Sequence, residues 1–275
     1  MSHTPRKRFG QNFLRDSSVI ERIVDAIAPE AGQAMIEIGP GQGAMTLPLL
    51  RKLGQLTAIE LDRDLIAPLA QMAAGVGSLN IISADALTVD FSALAALAGQ
   101  KLRVVGNLPY NISTPLIFHL LSHLDAISDM HFMLQKEVVD RMASLPGSKV
   151  YGRLSVMTQA QAQVTSVFKV APISFWPVPK VDSAIVRLQP HAVQLPAHEH
   201  AALDTLTRLA FSARRKTLAN GVMPVLSALQ IAAVGIDPKR RAETLSQAEF
   251  QTLARALVSL NLKSSYPSKT GAPDF

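Results

Sequence analysis

The stretch AMIEIGPGQG, residues 34–43, joins a short apolar run to a turn that carries three glycines. The run AMIEIG is predicted to be a buried strand, and the following GAMTLPLLRKL, residues 43–53, has apolar residues at helical spacing. Glycine adopts backbone conformations that other residues avoid, and it lets a ligand approach the main chain closely. The stretch therefore predicts a strand, a ligand-facing turn and a helix.

The same alternation of strand and helix continues along the first half of the chain. The apolar runs LTAIEL, LNIISA, LRVVGN and MHFML are predicted strands, and DRDLIAPLAQMA, TPLIFHLLSHL and QKEVVDRMA are predicted helices. Such alternation is typical of a mostly parallel α/β sheet, in which ligands bind beyond the carboxyl ends of the strands. The polar residues predicted at those ends are Glu37, Glu60, Asp85 and Asn107.

The chain divides into two predicted domains and a tail. Residues 1–190 hold the alternating strands and helices, and the linker-like segment PHAVQLPAHEH follows. Helical patterns fill most of residues 191–262, and residues 263–275 are predicted to be disordered. The predicted fold is therefore an α/β domain with a smaller, all-helical C-terminal domain.

Two capping boxes predict where helices begin. In this pattern a serine or threonine and an acidic residue three positions later satisfy each other's backbone N–H groups. Ser18 with Glu21 precedes the first predicted strand, and Ser246 with Glu249 precedes the last helical segment.

The composition excludes several classes of protein and site. The chain has 275 residues, of which 48% are hydrophobic, enough for two cores. It has no cysteine, which excludes disulfides and thiolate catalysis and fits a reducing compartment, and its seven histidines show no metal-ligand spacing. No apolar run approaches the roughly 18 residues of a membrane span. We therefore expect a cytoplasmic protein that binds neither a metal nor a membrane.

The net charge of +6 indicates a polyanionic partner. Residues 191–275 carry ten Lys and Arg against six Asp and Glu, a larger excess than in the longer first part. The segment AFSARRKTLAN is predicted to be a basic helix whose Arg214, Arg215 and Lys216 contact RNA phosphates. A solvated helix face is the alternative for these three residues.

The glycine turn is not a dinucleotide fingerprint, because G-x-G-x-x-G would need glycine where Ala44 stands. Glu60, after the second strand, can accept hydrogen bonds from both ribose hydroxyls of a nucleoside. Asp85, after the third, can accept one from an adenine amino group. A plain tight turn, a helix N-terminal charge and a simple cap are the respective alternatives. Together, on one sheet edge, these features favour an adenosine-containing cofactor.

The strand LRVVGN leads into NLPYNIST, residues 107–114, instead of an ordinary turn. Pro109 lacks an N–H group and disfavours a helical conformation for Leu108, so we expect the carbonyls there to point outward. Tyr110 adds an aromatic face, and Asn107 adds an amide. The segment therefore predicts a site for a flat ligand with polar edges.

These segments resemble a known family. EIGPGQG, IELDRD, SAD and NLPY are similar to the S-adenosylmethionine-dependent rRNA adenine N6-methyltransferases, and RFGQNFL, HFMLQKEVVDRM, YGRLSV and FWPVPKVDSAIVRL narrow the resemblance to the bacterial small-subunit dimethyltransferases. The resemblance runs from about Arg6 to Leu257. It implies a Rossmann-like domain that uses S-adenosylmethionine to dimethylate N6 of two adjacent adenosines near the 3′ end of 16S rRNA. The implied substrate is a 30S subunit or its precursor, and the implied enzyme is a monomer.

The resemblance also implies roles for individual residues. Those implied around S-adenosylmethionine are Asn12, Leu14, Gly39, Glu60, Asp85 and Asn107. Those implied to hold and activate the target adenine are Asn107, Leu108, Pro109, Tyr110 and Phe175. Because Phe175 precedes a proline-rich turn, we expect its ring to be accessible for stacking, and a core aromatic is the alternative. Hydrogen bonds from the adenine amino group to Asn107 and to the Leu108 carbonyl are expected to replace a strong base.

Three other functions share part of this pattern. A nicotinamide oxidoreductase would have the glycine turn and Glu60, but it would not need NLPY or the basic C-terminal region. A large-subunit rRNA methyltransferase conferring antibiotic resistance would also have NLPY-like chemistry. A ribosome-binding factor that kept the fold without turnover would not need Glu60, Asp85 and NLPY intact.

Overall fold

The fold is described from a computed structural model that covers residues 11–213 and 215–265. Within these two ranges, no helix combines the length and the hydropathy of a membrane-spanning segment. The predicted disordered tail, residues 263–275, falls largely outside them. Its first three residues continue the last helix.

The chain forms two compact units. The first comprises the residues up to 143 together with 162–194, and the second comprises 144–161 together with the residues from 195 onward. Residues 144–161 thus belong to the second unit, whereas the sequence pattern placed them in a domain that ends at residue 190. The reason is that their helix, Arg153–Gln159, packs on the two long helices of the second unit.

A seven-stranded sheet forms the centre of the first unit. The strands of this unit are β1 Phe13–Leu14, β2 Met35–Ile38, β3 Gln55–Glu60, β4 Ser78–Ser83, β5 Leu102–Asn107, β6 Ile127–Gln135, β7 Ala162–Val170, β8 Phe175–Trp176 and β9 Ser183–Pro190. The sheet order is β4-β3-β2-β5-β6-β9-β7, with the first five strands parallel and β9 antiparallel to its two neighbours. β1 and β8 form a separate antiparallel ribbon. The predicted mostly parallel, Rossmann-like sheet is confirmed.

Helices connect the parallel strands. The helices of the first unit are α1 Ser17–Ile27, α2 Thr46–Leu53, α3 Arg63–Ala73, α4 Phe91–Ala98, α5 Ser113–Leu121 and α6 Lys136–Ala143. Because β2 lies between β3 and β5, the chain builds β3 and β4 on one side of β2 and then crosses to β5 on the other. A crevice for a ligand is expected where the strand order reverses in this way. Glu37 and Asn107 stand at the carboxyl ends of β2 and β5, at this crevice.

The start of α1 is fixed by a tertiary contact. Asp16 caps the helix, because its carboxylate accepts hydrogen bonds from the backbone N–H groups of Ser18 and Val19. The same carboxylate accepts a hydrogen bond of 3.0 Å from the Ser174 hydroxyl, 158 residues away. The predicted capping box of Ser18 with Glu21 is therefore wrong. Asp16 links α1 to the segment that carries β8.

The second unit is helical, as predicted. Its helices are α7 Arg153–Gln159, α8 Ala197–Ser212, α9 Leu218–Val222, α10 Ala228–Ala233 and α11 Gln247–Ser265. Leu203, Leu206 and Phe250 are fully buried between α8 and α11. The predicted capping box at α11 is confirmed, since Ser246 Oγ accepts from the Glu249 N–H at 3.2 Å and the Glu249 carboxylate accepts from the Ser246 N–H at 2.7 Å.

Candidate active site

A cavity of about 330 Å³ lies at the carboxyl ends of β2, β3, β4 and β5. Its walls come from the N-terminal arm with β1, the glycine turn after β2, and the NLPY segment after β5. All residues implied around S-adenosylmethionine line it, namely Asn12, Leu14, Gly39, Glu60, Asp85 and Asn107. Leu108, Pro109 and Tyr110 line it as well. The fold thus brings together side chains from four strand ends and the arm.

The glycine turn allows the arm to close over the cavity. Gly39 and Gly41 have φ angles of 67° and 56°, a region that favours glycine. A Cβ atom at Gly41 would lie 3.1 Å from the Phe13 ring, so β1 packs this closely only because residue 41 has no side chain. The Gly41 N–H donates a hydrogen bond of 3.1 Å to Glu60 Oε2. The glycine turn therefore contacts both the N-terminal arm and the end of β3.

Glu60 keeps acceptor capacity for a ligand. Its other oxygen, Oε1, accepts a hydrogen bond of 2.8 Å from the Asp62 N–H. Burial raises the pKa of Glu60, and the hydrogen bonds from Asp62 and Gly41 oppose that rise. A carboxylate offers about four lone-pair positions, more than the backbone N–H groups of Gly41, Leu61 and Asp62 occupy, so acceptor capacity remains for a ligand hydroxyl. Asp62, and not Glu60, accepts the capping hydrogen bond of α3, so Glu60 is not used as the helix cap.

Asp85 lines the cavity and also caps a short local turn, which is the alternative role that the sequence suggests for it. Its Oδ1 accepts a hydrogen bond of 3.0 Å from the Leu87 N–H and caps the short turn Ala86–Thr88. One carboxylate oxygen is thus used for structure. The second remains for a ligand amino group.

Glu37 is the cavity residue to which sequence reasoning gave no role. It is 1% exposed, and its Oε2 has no hydrogen-bond partner in the described part of the chain. Burial raises its pKa to about 7; the neighbouring Thr46 hydroxyl lowers it, without reaching hydrogen-bond geometry, and the Glu60 charge raises it. The sequence feature that could have identified Glu37 as a site residue is its carboxyl group within the otherwise apolar strand MIEI.

The cavity lining is negatively charged. It contains three carboxyl groups, those of Glu37, Glu60 and Asp85, and no described lining residue is Lys, Arg or His. Such a lining attracts a cation and disfavours an anion such as the pyrophosphate of a nicotinamide dinucleotide. Among the same described residues, no cluster of three or more His, Asp or Glu could hold a metal ion. The electrostatics favour a positively charged organic cofactor.

The NLPY segment presents two free acceptors. The Asn107 amide nitrogen donates a hydrogen bond of 3.0 Å to the Asn12 carbonyl, which fixes the orientation of the amide. Asn107 Oδ1 and the Leu108 carbonyl receive no hydrogen bond from any residue that the structure describes. The Pro109 carbonyl accepts from the Ile112 N–H at 3.2 Å, so it is not among the outward acceptors. The two free oxygens suit an amino group.

The two implied stacking aromatics have different surroundings. Tyr110 is half-buried at the cavity, and its hydroxyl lies at hydrogen-bonding distance, 2.8 Å, from Ser183 Oγ. Phe175 is 3% exposed, pairs with Leu14 across the ribbon and packs into the core. The expectation of an accessible Phe175 ring is wrong, because the strand pairing turns this side chain inward beside Leu14.

The predicted basic helix is not continuous in the structure. Helix α8 ends at Ser212, α9 begins at Leu218, and Arg215 and Lys216 are exposed between them. Arg214 lies outside the described residues. Gly221 of α9 packs closely on Ala210 of α8, with 3.5 Å between an added Cβ and the Ala210 Cα, so the chain must reverse direction between them. The helix therefore ends before the basic residues.

Comparison of the sequence with known proteins gives a family. The model of the ribosomal RNA adenine dimethylases matches residues 2–258. The chain is 57% identical to the ribosomal RNA small subunit methyltransferase A of Acidithiobacillus ferrooxidans over 254 residues, which cover 92% of this chain and 94% of that protein.

Two solved structures share the fold. A dimethyladenosine transferase from Plasmodium falciparum has a TM-score of 0.79 and 26% identity, covering 92% of this chain and 98% of its own. The 23S rRNA methyltransferase ErmE has a TM-score of 0.71 and 25% identity, covering 90% of this chain and 99% of its own. With an anionic cavity, two free acceptors at NLPY and a family match over most of its length, the chain belongs to the ribosomal RNA adenine dimethylase family.

Proposed function

We propose that the protein uses S-adenosylmethionine to dimethylate N6 of two adjacent adenosines near the 3′ end of 16S rRNA. The observation that carries this proposal is one cavity in which the free acceptors of Asn107 and Leu108 adjoin an anionic lining. The small-subunit assignment is supported by the relative at 57% identity, whereas the 23S methyltransferase is 25% identical. We further propose that it acts as a cytoplasmic monomer on a 30S particle or its precursor.

The lining residues hold and select the methyl donor. S-adenosylmethionine, when bound, supplies an electrophilic methyl group on a positively charged sulfonium. Glu60 accepts from the ribose hydroxyls, and Asp85 accepts from the adenine amino group. Since the lining carries carboxylates without a described basic side chain, it favours the cationic donor over its neutral thioether product.

Asn107 and Leu108 prepare the target nitrogen. The adenine amino group is a poor nucleophile because its lone pair is delocalised into the ring. Hydrogen bonds from N6–H to Asn107 Oδ1 and to the Leu108 carbonyl stabilise a more pyramidal nitrogen whose lone pair faces the methyl group. The methylated nitrogen is cationic and acidic, so its proton leaves without a strong base. Stacking on Tyr110 contributes about 1–3 kcal/mol to holding the base outside its RNA.

Arg214, Arg215 and Lys216 contact RNA phosphates in this proposal. Arg215 and Lys216 are exposed, and neither forms an ion pair with a described carboxylate. Changing all three to Ala should weaken particle binding and flatten its salt dependence, because phosphate contacts release counterions. Cofactor affinity should not change. An equal loss of both affinities would show that the segment is structural.

One experiment tests the proposed function directly. The protein is incubated with S-adenosylmethionine labelled in its methyl group and with 30S particles from cells that lack this activity, and the label is then located. We expect it on N6 of two adjacent adenosines near the 3′ end of 16S rRNA. Label on 23S rRNA, or none, would contradict the proposal. Displacement of bound cofactor by NAD, but not by S-adenosylhomocysteine, would favour the oxidoreductase.

A further inference from the structure

The β1–β8 ribbon carries an exposed pair of an aromatic and a cationic side chain. Trp176 is 39% exposed, and the guanidinium carbon of Arg15 lies 4.4 Å from the centre of its ring. This is the geometry of a cation–π contact. Arg15 is itself exposed and forms no ion pair with any carboxylate that the structure describes. Neither core packing nor charge neutralisation accounts for the pair.

The strand pairing places this pair beside the cavity. Phe13 is directly opposite Trp176, and Leu14 is opposite Phe175. Directly paired residues share a face of a ribbon and successive residues alternate, so Arg15 and Trp176 lie on the Phe13 face. Leu14 and Phe175 lie on the other face, in the core. Because Phe13 and Leu14 both line the cavity, the ribbon that carries the exposed pair borders the cavity.

Hydrogen bonds hold the backbone under this pair. The Arg15 N–H donates to the Ser174 carbonyl at 2.9 Å, which continues the ribbon by one residue. The Ser174 hydroxyl donates to Asp16, which caps α1. A side-chain pair on an anchored backbone loses less conformational freedom when it binds a partner.

The surroundings of the pair fit single-stranded RNA. In the same segment Ile173, Val178 and Val181 are 79%, 57% and 43% exposed, and Lys180 is exposed and basic. Exposed apolar side chains grouped in this way mark an interaction surface. Aromatic rings that stack bases, together with guanidinium groups, are the usual means of binding splayed RNA. A neighbouring cavity with acceptors for an amino group favours RNA over a protein partner.

We propose that Trp176 and Arg15 form a second nucleotide site, where Trp176 stacks the base of a nucleotide that flanks the target adenosine and Arg15 contacts its phosphate. This inference rests on the proposed function, because the flanking nucleotide belongs to the proposed substrate RNA. In this proposal Trp176 stacks on a base. The neighbouring Phe175 is buried and therefore cannot stack on RNA. Trp176 is a positioning residue, because it holds the strand while the target base enters the cavity.

The test compares Trp176→Ala, Trp176→Phe and Arg15→Ala with Leu97→Ala, a control that removes an 86% exposed apolar side chain of α4, outside this surface. Trp176→Ala should weaken binding to unmethylated 30S particles roughly 5- to 150-fold, the loss expected for one stacked base. Trp176→Phe should retain most of the affinity, because it keeps an aromatic face. Arg15→Ala should weaken binding and reduce its salt dependence. In the Trp176→Ala and Arg15→Ala proteins the KM for particles should rise while kcat and cofactor affinity stay near wild type, and Leu97→Ala should change none of the three.

An RNA substrate with an abasic flanking nucleotide gives an independent readout. Removing that base and changing Trp176 to Ala should not have additive effects, because both remove the same contact. Normal RNA affinity of both Trp176→Ala and Arg15→Ala, with an active wild type, would overturn the inference and leave the proposed function standing. An inactive wild type would instead contradict the proposed function. If Trp176→Ala fails to fold, normal RNA affinity of Arg15→Ala overturns the inference by itself.

Discussion

The parallel strands of the sheet carry buried charged side chains at both ends, and the two clusters differ in how their charges are paired. At the carboxyl ends, Glu37 and Glu60 share a cavity whose described lining has no basic residue. At the amino ends, Asp129 on β6 accepts two hydrogen bonds, of 2.8 and 2.9 Å, from Arg103 on β5. A second cation, Arg187, lies 3.7 Å from the same carboxylate.

The two buried charges of the amino-end cluster, Arg103 and Asp129, are paired with each other, whereas the adjacent His131 has a ring nitrogen, Nδ1, without a hydrogen-bond partner among the described residues. Besides Asp129, Arg103 donates to the carbonyls of Ile27 and Ala28 at the end of α1, and to the side-chain oxygen of Gln33. The carboxyl-end cluster keeps acceptors without donors. The comparison indicates that closed pairing of buried charges serves stability, whereas incomplete pairing on the same sheet marks the ligand site.

Removing the anion of the amino-end cluster should have the largest effect. Asp129→Ala leaves the Arg103 charge buried without its carboxylate, so the free energy of unfolding should fall by about 3–5 kcal/mol. Urea unfolding measures this. The control is Asp25→Ala, which removes an exposed pair with Lys52 at 3.5 Å and should cost less than about 1 kcal/mol. A similar small loss for Asp129→Ala would refute the stabilising role.

Asn107→Ala should affect chemistry and spare stability. It removes the proposed acceptor for the adenine amino group, so the single-turnover rate should fall roughly 100- to 1000-fold, as when one preorganised hydrogen-bonding group is lost. RNA affinity should persist. Asn80→Ala, which removes an exposed amide from β4, is the control and should be fully active. Normal turnover of Asn107→Ala would overturn the proposed mechanism.

His131 should make the amino-end cluster sensitive to acid. Burial lowers its pKa from the usual 6.5 to about 4, and Asp129 only partly opposes this. Between these pH values the unfolded chain binds more protons than the native state, so stability should fall as the pH is lowered, by about 3 kcal/mol. Unfolding measured from pH 7 to pH 4 should show a smaller loss in His131→Gln. An unchanged loss would assign the acid sensitivity to another group.

Glu37 should give the carboxyl-end cluster the opposite pH dependence. Its pKa is raised by burial from 4.5 to about 7, so the native state binds more protons than the unfolded chain in this window. The stabilisation is therefore complete below about pH 4.5 and is lost as the pH rises through 7, by about 3 kcal/mol. Glu37→Gln should flatten this decline, whereas His131→Gln should not.

Single-turnover rates of the same Glu37→Gln protein test whether Glu37 acts as a base in the reaction. Because the proposed mechanism activates the adenine by hydrogen bonding and not by a base, the rate should stay within about tenfold of wild type. Neither protein should show a rate profile controlled by one basic group near neutral pH. A wild-type profile with such a group that disappears in Glu37→Gln would identify Glu37 as a base.

Tyr110→Phe should have the smallest effect. It keeps the aromatic face and loses the hydrogen bond to Ser183, so stability should fall by about 1 kcal/mol and turnover by less than about tenfold. Tyr110→Ala should lose far more activity, because the adenine is no longer held in place. Turnover and RNA affinity of both variants check this. Equal losses in the two would show that the hydroxyl, and not the ring, matters.

Local sequence patterns determined much of the fold and of the cavity. Strand and helix periodicity, the glycine turn and the order of polar residues at strand ends are local properties, so Glu60 and Asp85 were assigned correctly to one sheet edge. Ser246 with Glu249 likewise formed its predicted cap. The same pattern at Ser18 did not, because Asp16 has a distant partner.

Only the tertiary structure decided which side chains are available. Phe175 and Trp176 are adjacent aromatics, and the register of β1 with β8 buries the first and exposes the second. The orientation of the Asn107 amide depends on the carbonyl of Asn12, 95 residues away. The physical reason is that exposure and hydrogen-bond pairing are set by strand register and by neighbours distant in the chain, and a local pattern encodes neither.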